Sequence, residues 1–263
     1  SVKAGRVLLG AGLVVMLGLS GIVLALRAGA GEPDRAEVER RWADAPSRFV
    51  MVDGVRMHVR EEGPAEGPVV VLLHGSIVNL HEWDEVAKRL KDHYRVVRFD
   101  WSPYGLTGPD PKGYSTPRAA QLMDGLMKQL GYDRFVLVAT SNGSNVGLEF
   151  NRAYPGHVIA MAFSMLPLER PSQTREVDWR LRWMLAFHGA VLPNWRAAAF
   201  WRIMLEDTTP PGFQPTESMV AQIHEMNNLP GALERQAAYI RANVKAFRTS
   251  DVGAVAAEVR VPV

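Results

Sequence analysis

Ser141 is the residue whose neighbours best suit covalent chemistry. It lies in Ala139-Thr140-Ser141-Asn142-Gly143-Ser144, directly after the strand-like run Phe135–Ala139. Small residues stand two before and two after it. A turn tight enough to pass from strand to helix at one residue crowds neighbouring backbone, so small side chains are required, and the central hydroxyl is left exposed. Such a hydroxyl can attack a carbonyl carbon. The Asn142 N–H, at the start of the following helix, then faces the developing oxyanion with the positive end of the helix behind it. A second segment, His74-Gly75-Ser76, follows the run Val69–Leu73; a bend at Gly75 turns the Ser76 N–H toward the same space, which supplies a second oxyanion donor. A third, Asp100 to Gly108, is rich in turn residues, and Asp100 reads as a support for that loop rather than a group acting on substrate.

The elements that must position these residues are legible as hydrophobic periodicity. Phe49–Val52 and Val55–Arg60 flank Asp53-Gly54, a dipeptide suited to a tight hairpin. Val69–Leu73 is a short continuous apolar run, as expected of a strand covered on both faces, and Arg95–Phe99 reads as another apolar strand. Between and after them, helical spacing appears at Trp83, Val86, Ala87 and Leu90, and again from Ala119 to Leu130, where Thr116 is the expected cap, Pro117 the first turn and Gly131 the exit. Gly143–Tyr154 is a helix stopped by Pro155, and Val158–Ser164 a further strand. Strands alternating with helices predict an α/β fold with a mostly parallel sheet. Groups beyond the carboxyl ends of its strands are where chemistry collects, which is where all three segments fall.

Composition removes other classes. The 263 residues carry 30 Lys+Arg against 28 Asp+Glu, a formal charge of +2, so no nucleic-acid partner is implied. The absence of cysteine excludes a disulfide scaffold, a thiol nucleophile and thiolate-bound metal.

Val71-Leu72-Leu73-His74-Gly75-Ser76, Phe99-Asp100 through Gly105-Leu106-Thr107-Gly108, and Val136 through Ser144, in this order and spacing, resemble the α/β-hydrolase superfamily, in particular its small bacterial membrane-anchored members with a helical cap. Ala139 stands where that family usually has glycine. The resemblance implies a serine hydrolase acting through an acyl-enzyme on an ester-like substrate, with Ser141 as nucleophile and Ser76 and Asn142 as backbone donors, and with no metal or organic cofactor. Relatives that open epoxides or displace halide carry an aspartate at this turn, so Ser141 points to acyl transfer instead. His74 resembles the family's structural His-Gly pair rather than its base. The family's acid and histidine would come later in the chain, but Glu258–Val263 looks like the start of a seventh strand and the sequence stops there. The expectation is a C-terminally truncated chain, inactive by itself, because neither His157, His188 nor His224 matches the family's base position. A non-catalytic ligand-binding protein on the same scaffold is the alternative.

Domain organisation follows from composition. Residues 1–31 include the uncharged stretch Val7–Leu26, long enough to span a bilayer, which predicts a single-pass membrane protein with its globular part outside the cytoplasm; Ala28-Gly29-Ala30 leaves open a cleaved signal and secretion. Residues 32–47 read as a linker, 48–166 as the hydrolase core, 167–253 as the cap and 254–263 as returning core. Within the cap, Trp179, Trp183, Trp195 and Trp201 suggest an apolar pocket for a small apolar acyl substrate.

Overall fold

The computed structural model describes residues 2–166, 177–210, 212–249 and 252–263. The first ten residues of the expected cap, 167–176, lie outside the described residues. In chain order the elements are helices α1 (Val2–Arg27) and α2 (Arg35–Trp42), strands β1 (Ser47–Val52), β2 (Val55–Glu62) and β3 (Val69–Leu73), helix α3 (Asp84–Leu90) and strand β4 (Arg95–Phe99). Then follow α4 (Thr116–Leu130), β5 (Phe135–Thr140), α5 (Asn142–Ala153), β6 (Val158–Ser164), α6 (Trp179–Val191), α7 (Ala198–Thr208), α8 (Glu217–Asn227), α9 (Ala232–Thr249) and α10 (Val252–Ala257). They form two units. A helical unit takes residues up to Arg35 with Val177–Leu233, and a sheet unit begins at Ala36 and resumes from Glu234 to Val263. Helix α9, which falls within the cap by sequence, packs with the sheet unit through the fully buried Tyr239.

The sheet order is β1-β2-β4-β3-β5-β6. β1 and β2 form the expected hairpin, closed by Asp53 and Gly54 with φ of 46° and 84°, and β2 runs antiparallel to β4. The remaining pairings, β4–β3, β3–β5 and β5–β6, are parallel, so the sheet is mixed. Strand β3 is central, and its alternation explains its continuous apolar sequence. Val71 and Leu73 pack with Leu122, Leu126, Val146 and Phe150 of α4 and α5, whereas Val70 and Leu72 pack with Trp83 and Ala87 on the opposite face. Beside β6, the Met161 N–H donates to Pro262 O at 2.8 Å, and Val259 and Val261 pack against the core, so Glu258–Val263 lies along that strand.

Two expectations are corrected. The cap of α4 is Ser115, whose Oγ accepts the Arg118 N–H at 3.2 Å. Thr116 is the first helical residue, and its side chain instead meets Tyr239 Oη and Asn243 Oδ1 at 3.0 and 3.1 Å. Gly131 provides the left-handed exit, as expected. The second correction concerns the membrane: among the described residues no helix is long and apolar enough to cross one. Side chains of α1 are described only over residues 11–27, which rise about 25 Å against a hydrocarbon core of about 30 Å. The single-pass placement of the chain is therefore not supported, and neither is the localisation built on it.

Ser115→Ala should remove the side-chain acceptor of the Arg118 N–H at the start of α4 and lower unfolding stability by about 1 kcal/mol. A urea midpoint equal to that of the unmodified protein would show that this cap contributes nothing.

Candidate active site

Strands β3 and β5 are parallel neighbours paired from Val70↔Val136 to Leu73↔Ala139, so both chains leave the sheet side by side at their carboxyl ends. This adjacency brings His74-Gly75-Ser76 against Ser141-Asn142. Asn142 Nδ2 donates to Ser76 Oγ at 2.8 Å, and Asn145 Nδ2 holds Asn142 Oδ1 at 3.0 Å. A Cβ added to Gly75 would stand 3.3 Å from Ser141 Cβ, and one added to Gly143 would collide with the His74 carbonyl. Small residues are thus needed on both turns because two backbones approach each other.

Ser141 adopts φ 49° and ψ −128° immediately before α5, in backbone space that non-glycine residues rarely occupy. Such a conformation costs roughly 1–3 kcal/mol and survives only where its surroundings enforce it. Here the Ser141 N–H donates to Ser164 O of β6 at 3.1 Å, and Ser141 O accepts the Ser144 N–H at 3.0 Å. The residue is neither buried nor fully exposed, and among the described residues no histidine or carboxylate bonds its hydroxyl. The three residues singled out by sequence, Ser141, Ser76 and Asn142, therefore lie together. His157 bonds Asp133 O at 2.7 Å away from them, and His188 and His224 belong to the helical unit.

The turn after β3 is braced from beneath. His74 is fully buried; its Nδ1 donates to Gly75 O at 2.6 Å and its Nε2 accepts the Trp101 N–H at 3.2 Å, which fixes one neutral tautomer. Burial lowers its pKa against the opposing pull of Asp100, so it is suited to hold the turn and not to take a proton from Ser141. The Gly75 N–H is committed to Glu82 Oε2 at 2.8 Å. Burial pushes the Glu82 carboxyl up to about 6, with the Gly75 N–H acting in the other direction.

Sequence reasoning assigned Asp100 to loop support but missed its principal partner, His58. Asp100 Oδ2 accepts His58 Nδ1 at 2.8 Å and the Leu106 N–H at 2.7 Å, while Oδ1 accepts the Leu80 N–H at 2.7 Å. His58 Nε2 reaches Ser47 Oγ at 3.0 Å. Burial would raise the Asp100 carboxyl, but His58 and the Leu106 amide outweigh it and hold the group below the usual carboxylate range. Although Ser47, His58 and Asp100 form a hydrogen-bonded Ser–His–Asp chain, the imidazole and carboxylate are inaccessible, and Ser47 Oγ already accepts Arg60 Nη1 at 3.2 Å. The chain ties β1, β2 and the loop after β4 together. His58 gave no signal because its partner is 42 residues away.

The comparisons with known proteins agree with this architecture. A family model described as the alpha/beta hydrolase fold matches residues 68–189. Fluoroacetate dehalogenase of a Burkholderia species is 37% identical over 101 residues, covering 36% of this chain and 33% of that protein. Epoxide hydrolase 1 of Caenorhabditis elegans is 28% identical over 151 residues, 54% of this chain and 37% of that one. Among solved structures, Cfl2 of Burkholderia cenocepacia superposes with a TM-score of 0.64 at 25% identity, over 77% of this chain and 72% of the other. A variant of an epoxide hydrolase from Vigna radiata gives 0.53 at 22%, over 79% and 74%. The chain spans 33% and 37% of the two curated relatives.

Two outcomes follow from the bracing. Asp100→Ala leaves His58 and two buried amides without their acceptor and should cost about 3–5 kcal/mol in urea unfolding; a loss under about 1 kcal/mol would contradict the network. For Glu82 the folded pKa lies above the ordinary 4.5, so its favourable contribution is present below pH 4.5 and is lost as pH rises through about 6. Glu82→Gln should therefore raise Tm at pH 8 and leave it unchanged at pH 4. An equal shift at both values would show that the carboxyl does not titrate in this way.

Proposed function

We propose that this chain, which has the α/β-hydrolase fold, provides the nucleophile and oxyanion site of an acyl hydrolase acting on an apolar ester-like substrate. The observation that carries the proposal is Ser141 itself, held at positive φ between β5 and α5 with Ser76 and Asn142 beside it. Ser141 Oγ attacks the acyl carbon, the alcohol leaves, and the acyl-enzyme is hydrolysed by water. The backbone N–H groups of Ser76 and Asn142 stabilise the oxyanion formed in each step.

The named relatives act on a fluorinated acid and on epoxides. A serine does not suit that chemistry: displacement at an alkyl carbon is served by a carboxylate, ionised at neutral pH, whereas a serine hydroxyl requires a base and is matched to carbonyl carbon. The base and its orienting acid are not among the described contacts of Ser141, and no residue of this chain is assigned to those roles. A ligand-binding protein with an unreactive turn is the second reading, favoured by that same lack of a base beside Ser141.

Treatment of the intact protein with a fluorophosphonate, followed by peptide mass spectrometry, is expected to find the adduct on Ser141. Ser141→Ala should abolish both the adduct and hydrolysis of p-nitrophenyl butyrate, with little change in Tm. A folded protein that stays unmodified, or that hydrolyses the ester equally well after Ser141→Ala, would support the binding protein instead.

A further inference from the structure

Helix α2 has eight residues, too few to stay helical in water without partners, so its contacts with the sheet unit decide whether it remains folded. Val38 is buried, and the Glu39 carboxylate accepts Arg56 Nη1 and Nη2 at 2.6 and 2.9 Å. Its carboxyl end is held differently. The carbonyls of a last helical turn have no acceptance within the helix, and that of Trp42 accepts from His81 Nε2 at 2.8 Å. His81 belongs to the single turn Leu80–Trp83 before α3, and its other nitrogen, Nδ1, lies 3.0 and 3.2 Å from Asp84 Oδ2 and Oδ1.

These two partners fix the charge of the ring. A backbone carbonyl can only accept, and Asp84 is an ionised carboxylate whose Oδ1 also accepts Arg98 Nη1 at 2.5 Å. A neutral imidazole offers one N–H and one lone pair, so it can satisfy one acceptor and must point its lone pair at the other. The imidazolium satisfies both, and it places a positive charge at the negative end of α2. Charged and titratable groups surround it on every side that packs there. Asp84 of α3 is paired with Arg98 of β4, Asp100 follows β4, and the His58 ring of β2 stands 6.4 Å away between centroids. On α2, Arg41 lies 5.5 Å from the centre of the Trp42 ring and Glu39 is occupied by Arg56, while Asp44 beyond the helix pairs with Arg60. Burial works against the charged ring, but Asp84, the Trp42 carbonyl and Asp100 outweigh it and raise the His81 pKa above its ordinary 6.5.

We propose that His81 is a pH-dependent latch for α2, in which the imidazolium joins the Trp42 carbonyl to Asp84 and loss of one proton frees the carboxyl end of the helix. The charge-assisted bond to Asp84 is the stronger of the two and keeps its proton. Nε2 is then bare, and its lone pair faces the Trp42 carbonyl oxygen. Because the folded pKa lies above 6.5, the latch contributes in full below pH 6.5 and is lost as pH rises through the folded value. Nothing in this inference depends on Ser141 being a nucleophile.

Hydrogen exchange of the intact protein at about pH 5 and about pH 9, corrected for intrinsic exchange, tests the latch. Protection of the amides of residues 39–43 is expected to be about tenfold lower at the higher pH, with that of β3 unchanged. In nitrogen-detected NMR the His81 ring should titrate with a midpoint above 6.5. His81→Gln retains a side-chain N–H but cannot ionise, so protection of residues 39–43 should no longer depend on pH. Equal protection of the unmodified protein at the two pH values, or a His81 midpoint below 6.5, would overturn the proposal without any variant being needed. The same fall in protection in His81→Gln would assign the pH dependence to another group and overturn it as well.

Discussion

The close approach of two turns at the carboxyl ends of β3 and β5 is the constraint from which the site follows. Parallel neighbours deliver their chains to the same edge, and Gly75 and Gly143 allow the turns to meet there. The meeting holds Ser141 in a conformation that would relax in an isolated peptide. Three elements oppose that relaxation: β6 through Ser164 O, α5 through its first turn, and the turn after β3 through the Asn142–Ser76 bond. Strain at one residue is thus distributed over the centre of the sheet, where β3 is buried on both faces.

Beneath the site, buried polar groups serve position and not reaction. His74 is held neutral between the Gly75 carbonyl and the Trp101 amide, and Asp100 collects His58, Leu80 and Leu106. These bonds cross from β2 and the loop after β4 to the turn carrying Ser76, so that turn is held in place by elements distant from it in sequence. A buried polar network helps specify a fold only when all its members are satisfied, and these members are.

Much of this was legible in the sequence for a physical reason. Strands β3, β4 and β6 coincide with the runs read as strands, and β3, apolar throughout and buried over nearly its whole length, is the case in which cover on both faces leaves no polar position to blur the ends. The turn around Ser141 was readable because close backbone approach demands small residues at fixed offsets. What could not be read depends on distant partners. Ser115 rather than Thr116 caps α4 because Thr116 is drawn to Tyr239 and Asn243, more than 120 residues away. The burial of His58 depends on Asp100, and β2 alternation alone marks that position as open. The uncharged N-terminal run suggested a bilayer span, whereas among the described residues no helix is long and apolar enough for one.

A crystal structure of the protein after reaction with a phosphonate ester tests the central claim most directly. The account predicts phosphorus bonded to Ser141 Oγ, Ser141 still at positive φ, and the phosphoryl oxygen about 2.7–3.1 Å from both the Ser76 and Asn142 nitrogens. A phosphoryl oxygen turned to solvent, or a Ser141 that has relaxed to negative φ, would contradict it.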